Sequence, residues 1–311
     1  MSATAQVSKP VERLQLQRIA GQIGAEIGGV ELSGDLDQDV VDAIWAAVLE
    51  HKVVFFRGQQ HLDDAMHQAF AARLGTVLTH ATLTKEQAAK GAILAMDAAE
   101  PGGRSDNWHT DATFTVAPPK ASVLRGLVFP EHGGDTAWVN TARAYETLPP
   151  EMKALAEKLW ALHSNEMTLA TKPTLGHGEK YLDFRPLRSF IAEHPVVAVH
   201  PETGEKALQL GYFVQRLIGY DRWESARLID YLQVHITRME HMVRWRWQPG
   251  DLIIWDNRAT QHYAVNDYGS QSRHVRRITL EGTVPVSVDG RSSVQRADPE
   301  NPPLRRGPGE K

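Results

Sequence analysis

The sequence predicts a single α+β domain whose strands form a sandwich or a barrel. Short strand-like runs bounded by turn residues recur along the chain as far as residue 280. Longer stretches with apolar residues at helical spacing interrupt these runs, early and in the middle of the chain. No internal repeat or convincing boundary marks a second domain. We therefore expect one domain over residues 12–290, a flexible tail at 1–11 and a partly disordered tail at 291–311.

Four stretches carry the helical pattern. Residues 37–50 have apolar side chains every three or four positions, which is the spacing of one helix face. Asp63 and Asp64 are typical of a helix start, because their carboxylates accept hydrogen bonds from free backbone N–H groups. Pro149 and Pro150 fit a first helical turn, where the missing N–H is harmless. The expected helices are 37–50, 63–74, 149–162 and 222–236.

The strand-like runs differ in pattern. Residues 53–56 and 252–255 are continuously apolar, which indicates burial on both faces. Residues 196–199 and 207–210 bracket a Pro-Glu-Thr-Gly turn and predict a hairpin. Residues 166–193 lack clear periodicity, and a loop this long in a compact domain predicts a lid or a binding loop. The other expected strands are 93–96, 121–129, 136–140, 244–247 and 274–280.

Composition excludes several classes of protein. The chain has 311 residues, of which 42% are hydrophobic and 23% charged, as in ordinary globular proteins. A formal net charge of −4 without a basic stripe argues against nucleic acid as a partner. No apolar run approaches the length of a membrane span, so we expect no membrane partner. The absence of cysteine favours a cytoplasmic protein and nitrogen or oxygen metal ligands.

A histidine followed two residues later by an acid occurs four times, at His61, His109, His177 and His200. Only His109 lies in a β-like run, residues 108–114, with a second such run close behind. In a strand, residues two apart point to the same face, so an imidazole and a carboxylate there can bind one metal ion. We predict that His109, Asp111 and the distant His262 form a facial triad, the arrangement of non-haem Fe(II) oxygenases.

Two arginines support this site. Arg273 and Arg277 are four residues apart in a β-like stretch, so both face the same way. A buried cation requires an anionic partner, and two near a metal indicate a dicarboxylate cosubstrate, to which Thr136 could also donate a hydrogen bond. The alternative is that both arginines form ordinary salt bridges with Asp256 or Asp267.

Several motifs resemble the taurine dioxygenase family of Fe(II)- and 2-oxoglutarate-dependent dioxygenases. They are Trp-His-Thr-Asp-x-Thr-Phe, Gly-Gly-Asp-Thr, Pro-Gly-Asp-x-x-x-Trp-Asp-Asn-Arg-x-x-x-His and the paired arginines. The resemblance covers roughly residues 15–290 and implies a double-stranded β-helix, or jelly-roll, core with flanking helices and a lid insertion. It implies that His109, Asp111 and His262 bind iron. It further implies that Thr136 and Arg277 bind the far carboxylate of 2-oxoglutarate, while Arg273 helps its iron-chelating end.

Within the family, the chain is most similar to the alkylsulfatase, or sulfate ester dioxygenase, branch. The similarity lies in residues 159–166, 207–211 and 255–264. It implies O₂-dependent cleavage of alkyl sulfate esters to aldehyde and sulfate, with succinate and CO₂ as coproducts, for sulfur scavenging. His80 and Arg277 would contact the sulfate, and the protein would be a homodimer or homotetramer.

Three alternatives remain at this point. The first is a taurine or alkylsulfonate dioxygenase, which would release sulfite. The second is a cupin-like metal hydrolase or isomerase, which would have no use for paired arginines. The third is a jelly-roll binding module without enzymatic activity, which metal content would distinguish.

Overall fold

The computed structural model describes residues 14–79, 93–97, 105–165 and 190–297. The helices are α1 (Gln38–His51), α2 (Asp64–Leu74) and three more, at Thr141–Glu146, Pro150–Ala156 and Arg222–Ile236, with a short 3₁₀ turn at Met239–His241. The strands are β1 (Gln15–Arg18), β2 (Ala25–Gly28), β3 (Val53–Phe56), β4 (Val77–Leu78), β5 (Leu94–Asp97), β6 (Ala121–Val128), β7 (Thr136–Asn140), β8 (Trp160–Ser164), β9 (Ile191–Pro195), β10 (Val197–Val199), β11 (Lys206–Leu208), β12 (Val214–Leu217), β13 (Met242–Trp245), β14 (Leu252–Asp256), β15 (Thr260–Ala264), β16 (His274–Leu280), β17 (Val286–Ser287) and β18 (Val294–Ala297).

The largest sheet has the order β1-β2-β3-β14-β6-β16-β4, and β5 also pairs with β16. Its pairs are antiparallel except β2 with β3. Alternate residues of β3 enter two cores: Val54 and Phe56 pack with α1 and α2, whereas Val53 and Phe55 pack on the opposite side. Burial on both faces explains why this strand has no polar alternation.

A three-stranded sheet, β13-β7-β15, faces the inner side of the large sheet. Trp138, Trp245 and Trp255 fill the core between the two sheets. Two further sheets, β11-β10-β17 and β12-β8-β9-β18, complete the described strands. The architecture is mixed α and β with mostly antiparallel sheets, which is consistent with a jelly-roll core.

Several sequence predictions need correction. The helix expected over 149–162 ends at Ala156, and Trp160–Ser164 is a strand between β9 and β12. The loop expected to reach residue 193 ends earlier, because Ile191–Pro195 is a strand, while residues 166–189 lie outside the described residues. Folded structure extends past residue 290, because Val294–Ala297 pairs with β9.

The N-terminal tail expected at 1–11 also lies outside the described residues. In the part of the chain that the structure describes, no helix is both long and apolar enough to span a membrane.

Candidate active site

His109, Asp111 and His262 meet in the interior of the protein. Each offers one ligand atom, and these three atoms lie within 4.8 Å of one another. Nε2 of each histidine is 3.9 Å from Oδ1 of Asp111. All three side chains are buried. The donor set of two imidazoles and one carboxylate matches the facial triad, and it leaves coordination positions free for other ligands.

Backbone pairing brings the distant histidine to its partner. His109 donates its N–H to the carbonyl of His262 at 3.1 Å, and His262 donates in return at 2.8 Å. His262 also pairs with Trp138 of β7, so rigid sheet holds it on the other side. The expected strand over 108–114 is wrong, because only His109 forms a β-bridge. Asp111 begins a turn in which Ala112 has a positive φ of 48°, an uncommon conformation for a residue other than glycine.

The histidines are in the form that binds metal. Nδ1 of His109 donates to the carbonyl of Asn107 at 2.7 Å, which leaves the lone pair on Nε2 available. Burial, with a contribution from His109, holds the pKa of His262 well below its ordinary value. A neutral imidazole follows, and neutral imidazole is the ligand form.

Asp111 is held by two donors. Burial opposes its ionisation, but the Arg277 guanidinium and the hydrogen bond from the Ser122 hydroxyl favour the carboxylate, and the carboxyl pKa lies well below its usual range. Nη1 of Arg277 donates to Oδ1 at 2.6 Å, and Oγ of Ser122 donates to Oδ2 at 2.7 Å. The site therefore contains a carboxylate, not a carboxylic acid.

Behind Ser122 lies a chain of hydrogen bonds that the sequence analysis missed. The indole N–H of Trp255 donates to Oδ1 of Asn257 at 2.9 Å, and Nδ2 of Asn257 donates to Oγ of Ser122 at 3.0 Å. The Ser122 hydroxyl in turn donates a hydrogen bond to Asp111, so each of these three hydrogen bonds is donated in the direction of the carboxylate. Asn257 lies in the Trp-Asp-Asn-Arg motif, whereas nothing around Ser122 in the sequence marks it.

The second part of the site is a buried guanidinium. Nη2 of Arg273 donates to Oγ1 of Thr136 at 3.1 Å, and Nε donates to the carbonyl of Gly134 at 3.1 Å. Among the described residues, Arg273 has no carboxylate partner. Trp247 also donates to Oγ1 of Thr136, at 2.9 Å, so the hydroxyl hydrogen of Thr136 can be donated to a ligand.

Neither arginine forms the alternative salt bridge with Asp256 or Asp267. Asp256 is bound by Arg258 and His200, and Asp267 is bound by Arg244. Thr136 is bound by Arg273, whereas Arg277 lies at Asp111. Four residues of extended backbone, about 13 Å, separate the two arginines. That Thr136 and Arg277 bind one carboxylate of 2-oxoglutarate stays a prediction.

An apolar cluster borders His109. It consists of Ala112, Phe114, Phe190 and Phe213. The ring of Phe213 meets that of His109 edge-on, with 6.1 Å between their centroids. Phe213 comes this close because Gly211 lies directly against the site backbone, where an added Cβ would be 3.0 Å from the carbonyl oxygen of Trp108.

The other three histidines that are followed two residues later by an acid either have structural roles or lie outside the described residues. Nε2 of His61 donates to the carbonyl of Leu32, and Asp63 caps α2. His200 binds Asp256 at 2.9 Å. His177, and the proposed sulfate contact His80, lie outside the described residues.

The fold, together with two imidazoles and one carboxylate as metal-binding groups, defines the class of non-haem iron oxygenases. The chain belongs to the taurine catabolism dioxygenase TauD, TfdA family, whose sequence model matches residues 15–279.

Two relatives are similar over nearly their whole length. The chain is 53% identical to an alpha-ketoglutarate-dependent sulfate ester dioxygenase of Pseudomonas putida, over 90% of this chain and 93% of that protein. It is 49% identical to an alkylsulfatase of Acinetobacter baylyi, over 91% and 90% respectively. Among solved structures, a taurine dioxygenase from Burkholderia xenovorans superposes with a TM-score of 0.77 at 36% identity, covering 91% of this chain and 96% of that one.

Proposed function

We propose that this protein is an Fe(II)- and 2-oxoglutarate-dependent dioxygenase that cleaves alkyl sulfate esters oxidatively. Two features carry the proposal: the buried cluster of two histidines and one carboxylate, and the buried guanidinium of Arg273, which has no carboxylate partner among the described residues. Of the alternatives, a metal hydrolase or isomerase on the same fold would need the metal-binding cluster but no guanidinium to bind a dicarboxylate. A binding module without enzymatic activity would need neither feature. The two sheets that hold these residues form the proposed jelly-roll core.

His109, Asp111 and His262 would hold the iron. The cluster fits a divalent metal because it offers two imidazole nitrogens and one ionised oxygen within 4.8 Å of one another. Bound Fe(II), with 2-oxoglutarate, supplies the activation of O₂ that the protein side chains cannot. The protein keeps the carboxylate ionised through Arg277 and Ser122, and orients it with the hydrogen-bond chain from Trp255.

Arg273 and Thr136 would bind the far carboxylate of 2-oxoglutarate. An unpaired buried cation is costly, and a carboxylate ligand would relieve that cost through a charge-assisted hydrogen bond. Thr136 is opposite Ala264, two residues along β15 from His262, or about 7 Å. That distance is comparable with the reach of a five-carbon dicarboxylate from the metal. Arg277, at the metal end, would face the near end of the cosubstrate or the substrate anion.

The substrate would lie between a cation and an apolar wall. Arg277 provides charge for a sulfate group, and the aromatic cluster beside His109 provides contacts for an alkyl chain. The names of the two relatives near 50% identity, a sulfate ester dioxygenase and an alkylsulfatase, support the same substrate class. A contribution from His80 stays a prediction.

The proposed reaction consumes one alkyl sulfate, one 2-oxoglutarate and one O₂. One oxygen atom enters succinate as CO₂ leaves. The other enters the C–H bond next to the ester oxygen. The hydroxylated carbon then loses sulfate and a proton to give the aldehyde. Supply of sulfate to the cell is the proposed role, and a cytoplasmic location remains a prediction.

A substrate comparison tests this proposal. We expect sulfate release from a medium-chain alkyl sulfate to exceed sulfite release from taurine at equal concentration. The reason is that the aromatic cluster suits an alkyl chain, whereas among the described residues we find no acid placed there to pair with an ammonium group. Both products are measured with 2-oxoglutarate, Fe(II) and O₂, and each should be matched by succinate. Preference for taurine would favour the sulfonate dioxygenase instead, which the structural similarity to a taurine dioxygenase keeps as the second candidate.

The hydrogen-bond chain yields a prediction about metal binding. Ser122→Ala should weaken the binding of Co(II) or anaerobic Fe(II) by about 10- to 100-fold, the usual effect of removing an outer partner of a metal ligand. Titration calorimetry measures this directly. Ser225→Ala is the matched control. Ser225 is also buried, and its hydroxyl oxygen accepts a hydrogen bond from the backbone N–H of Leu217 rather than contacting a metal-binding residue. Equal metal affinity in Ser122→Ala and the wild type would exclude an orienting role for Ser122.

A further inference from the structure

The turn that carries Asp111 has a backbone conformation that needs support. Asp111 lies in a turn rather than a strand, and the next residue, Ala112, has a positive φ of 48°. Such a conformation costs free energy in a residue other than glycine, and it persists only where surrounding contacts hold it. We call residues 111–116 the ligand turn. Its internal hydrogen bonds, from the N–H and the hydroxyl of Thr115 to the carbonyl of Ala112, close the turn but do not anchor it to the rest of the protein.

A buried histidine of β9 binds the ligand turn. His194 is 1% exposed, and its Nε2 lies 2.8 Å from the carbonyl oxygen of Thr113 and 3.1 Å from that of Thr115. Carbonyl oxygens only accept hydrogen bonds, so Nε2 carries the hydrogen. Burial lowers the pKa of His194 to about 4, so the ring is neutral near neutral pH and Nδ1 is an acceptor. One N–H group therefore holds the turn at two points.

Residues on both sides of β9 fix the His194 ring. Oγ of Ser293 lies 2.7 Å from Nδ1 of His194, closer than its other acceptor, the carbonyl of Pro285 at 3.1 Å. A hydrogen bond from this hydroxyl sets the tautomer of the ring. His163 of β8 meets the ring at 90°, with 4.9 Å between centroids, and its Nδ1 lies 2.9 Å from Oγ1 of Thr113. The position, plane and tautomer of His194 are thus determined by its neighbours.

The C-terminal strand β18 also contacts the ligand turn. Oε1 of Gln295 accepts a hydrogen bond from the N–H of Val116 at 2.8 Å, and its Nε2 donates to the carbonyl of Ile191 at 2.8 Å. Gln295 therefore joins the end of the ligand turn to the start of β9. The turn is held from β9 and β18 together, on the side that the metal-binding atoms do not use.

We infer that His194 is a positioning residue for the metal site, which fixes the direction of the Asp111 carboxylate by holding the carbonyls of Thr113 and Thr115. The inference rests on the proposed role of Asp111 as a metal ligand. Ser122 and Arg277 bind the carboxylate oxygens themselves, whereas His194 holds the backbone that carries them. Loss of His194 should leave the carboxylate present but less well oriented, so metal binding should weaken without being abolished.

His194→Leu tests the inference, because leucine is apolar and lacks the N–H donor. We expect Co(II) affinity, measured by calorimetry, to fall about 5- to 50-fold, somewhat less than on removing a direct partner of a metal ligand. His194→Gln is the rescue variant, since its side-chain amide can donate to the same carbonyls, and it should bind Co(II) nearly as well as the wild type. In the metal-free protein, amide hydrogen exchange over the ligand turn should be faster in His194→Leu and restored in His194→Gln.

His235→Leu is the matched control. His235 is also buried, and its Nε2 also lies 2.9 Å from a backbone carbonyl, but that carbonyl belongs to Ala144 in the helix Thr141–Glu146. Thermal denaturation should show that both leucine variants are destabilised, whereas only His194→Leu should change Co(II) affinity and exchange in the ligand turn. Unchanged affinity and exchange in His194→Leu, or equal changes in the two leucine variants, would overturn the inference alone. A wild type that binds no Co(II) would overturn the metal site itself.

Ser293→Ala is the milder variant, which carries the test if His194→Leu does not fold. It removes the hydroxyl that sets the tautomer of His194 but no contact with the ligand turn. Exchange in the ligand turn should become faster and Co(II) affinity should fall, each by less than in His194→Leu. Wild-type exchange and affinity in folded Ser293→Ala would contradict the inference.

Discussion

Asp111→Ala is expected to abolish measurable metal binding and 2-oxoglutarate turnover. Asp111 is the only anionic member of the cluster, and its Oδ1 lies 3.9 Å from Nε2 of both histidines. The loss should exceed the 10- to 100-fold effect of an outer partner, because a ligand itself is removed. Removing the carboxylate also leaves Arg277 unpaired near the site of a divalent cation. Anaerobic calorimetry with Fe(II) and succinate release measure the two effects separately.

His61→Ala is the matched control. His61 and Asp63 show the same histidine–acid spacing as His109 and Asp111, but His61 binds the carbonyl of Leu32 and Asp63 caps α2. Metal affinity and turnover should therefore stay within about twofold of the wild type in this variant. If Asp111→Ala retained bound iron and near-normal activity, the assignment of the metal site to this cluster would be wrong.

Arg273→Lys should weaken the binding of 2-oxoglutarate while leaving the metal in place. Lysine keeps the charge but cannot present the planar fork that binds a carboxylate through two parallel hydrogen bonds. The expected loss is about 1–3 kcal/mol, the range for a hydrogen bond to a charged group. This corresponds to roughly a 5- to 150-fold increase in the dissociation constant. Calorimetry on Mn(II)-loaded protein measures it without turnover.

Arg277→Lys distinguishes the two arginines. The family resemblance implies that Arg277 binds the far carboxylate, but Nη1 of Arg277 lies 2.6 Å from Oδ1 of Asp111. We therefore expect Arg277→Lys to change metal affinity or the Michaelis constant for the sulfate ester more than the affinity for 2-oxoglutarate. A larger 2-oxoglutarate effect in Arg277→Lys than in Arg273→Lys would restore the original assignment.

Local sequence was sufficient for elements whose pattern depends on neighbours in the chain. The helix at 222–236 was predicted with the bounds that the structure shows, because helical spacing of apolar residues is a local feature. The continuous apolar run Val53–Phe56 was also predicted correctly, since burial on both faces removes polar alternation. The candidate metal residues could be found because the two-residue spacing of His109 and Asp111 keeps them close in any extended or turned backbone.

Tertiary structure decided everything that depends on pairing between distant segments. Trp160–Ser164 is a strand because β9 and β12 lie on either side of it, a partnership that no local helical preference can show. His109 meets His262 through a single β-bridge across the fold, although the run around His109 is not a strand.

The roles of the two arginines and of Ser122 were decided in the same way. Spacing places Arg273 and Arg277 on one face, but only the three-dimensional contacts show that Arg273 reaches Thr136 while Arg277 reaches Asp111. Ser122 and Asn257 are 135 residues apart and meet because β6 pairs with β14. Sequence by itself determined which chemical groups are present and those helices and strands whose pattern is local. Sheet register, a long-range property, determined which of those groups touch.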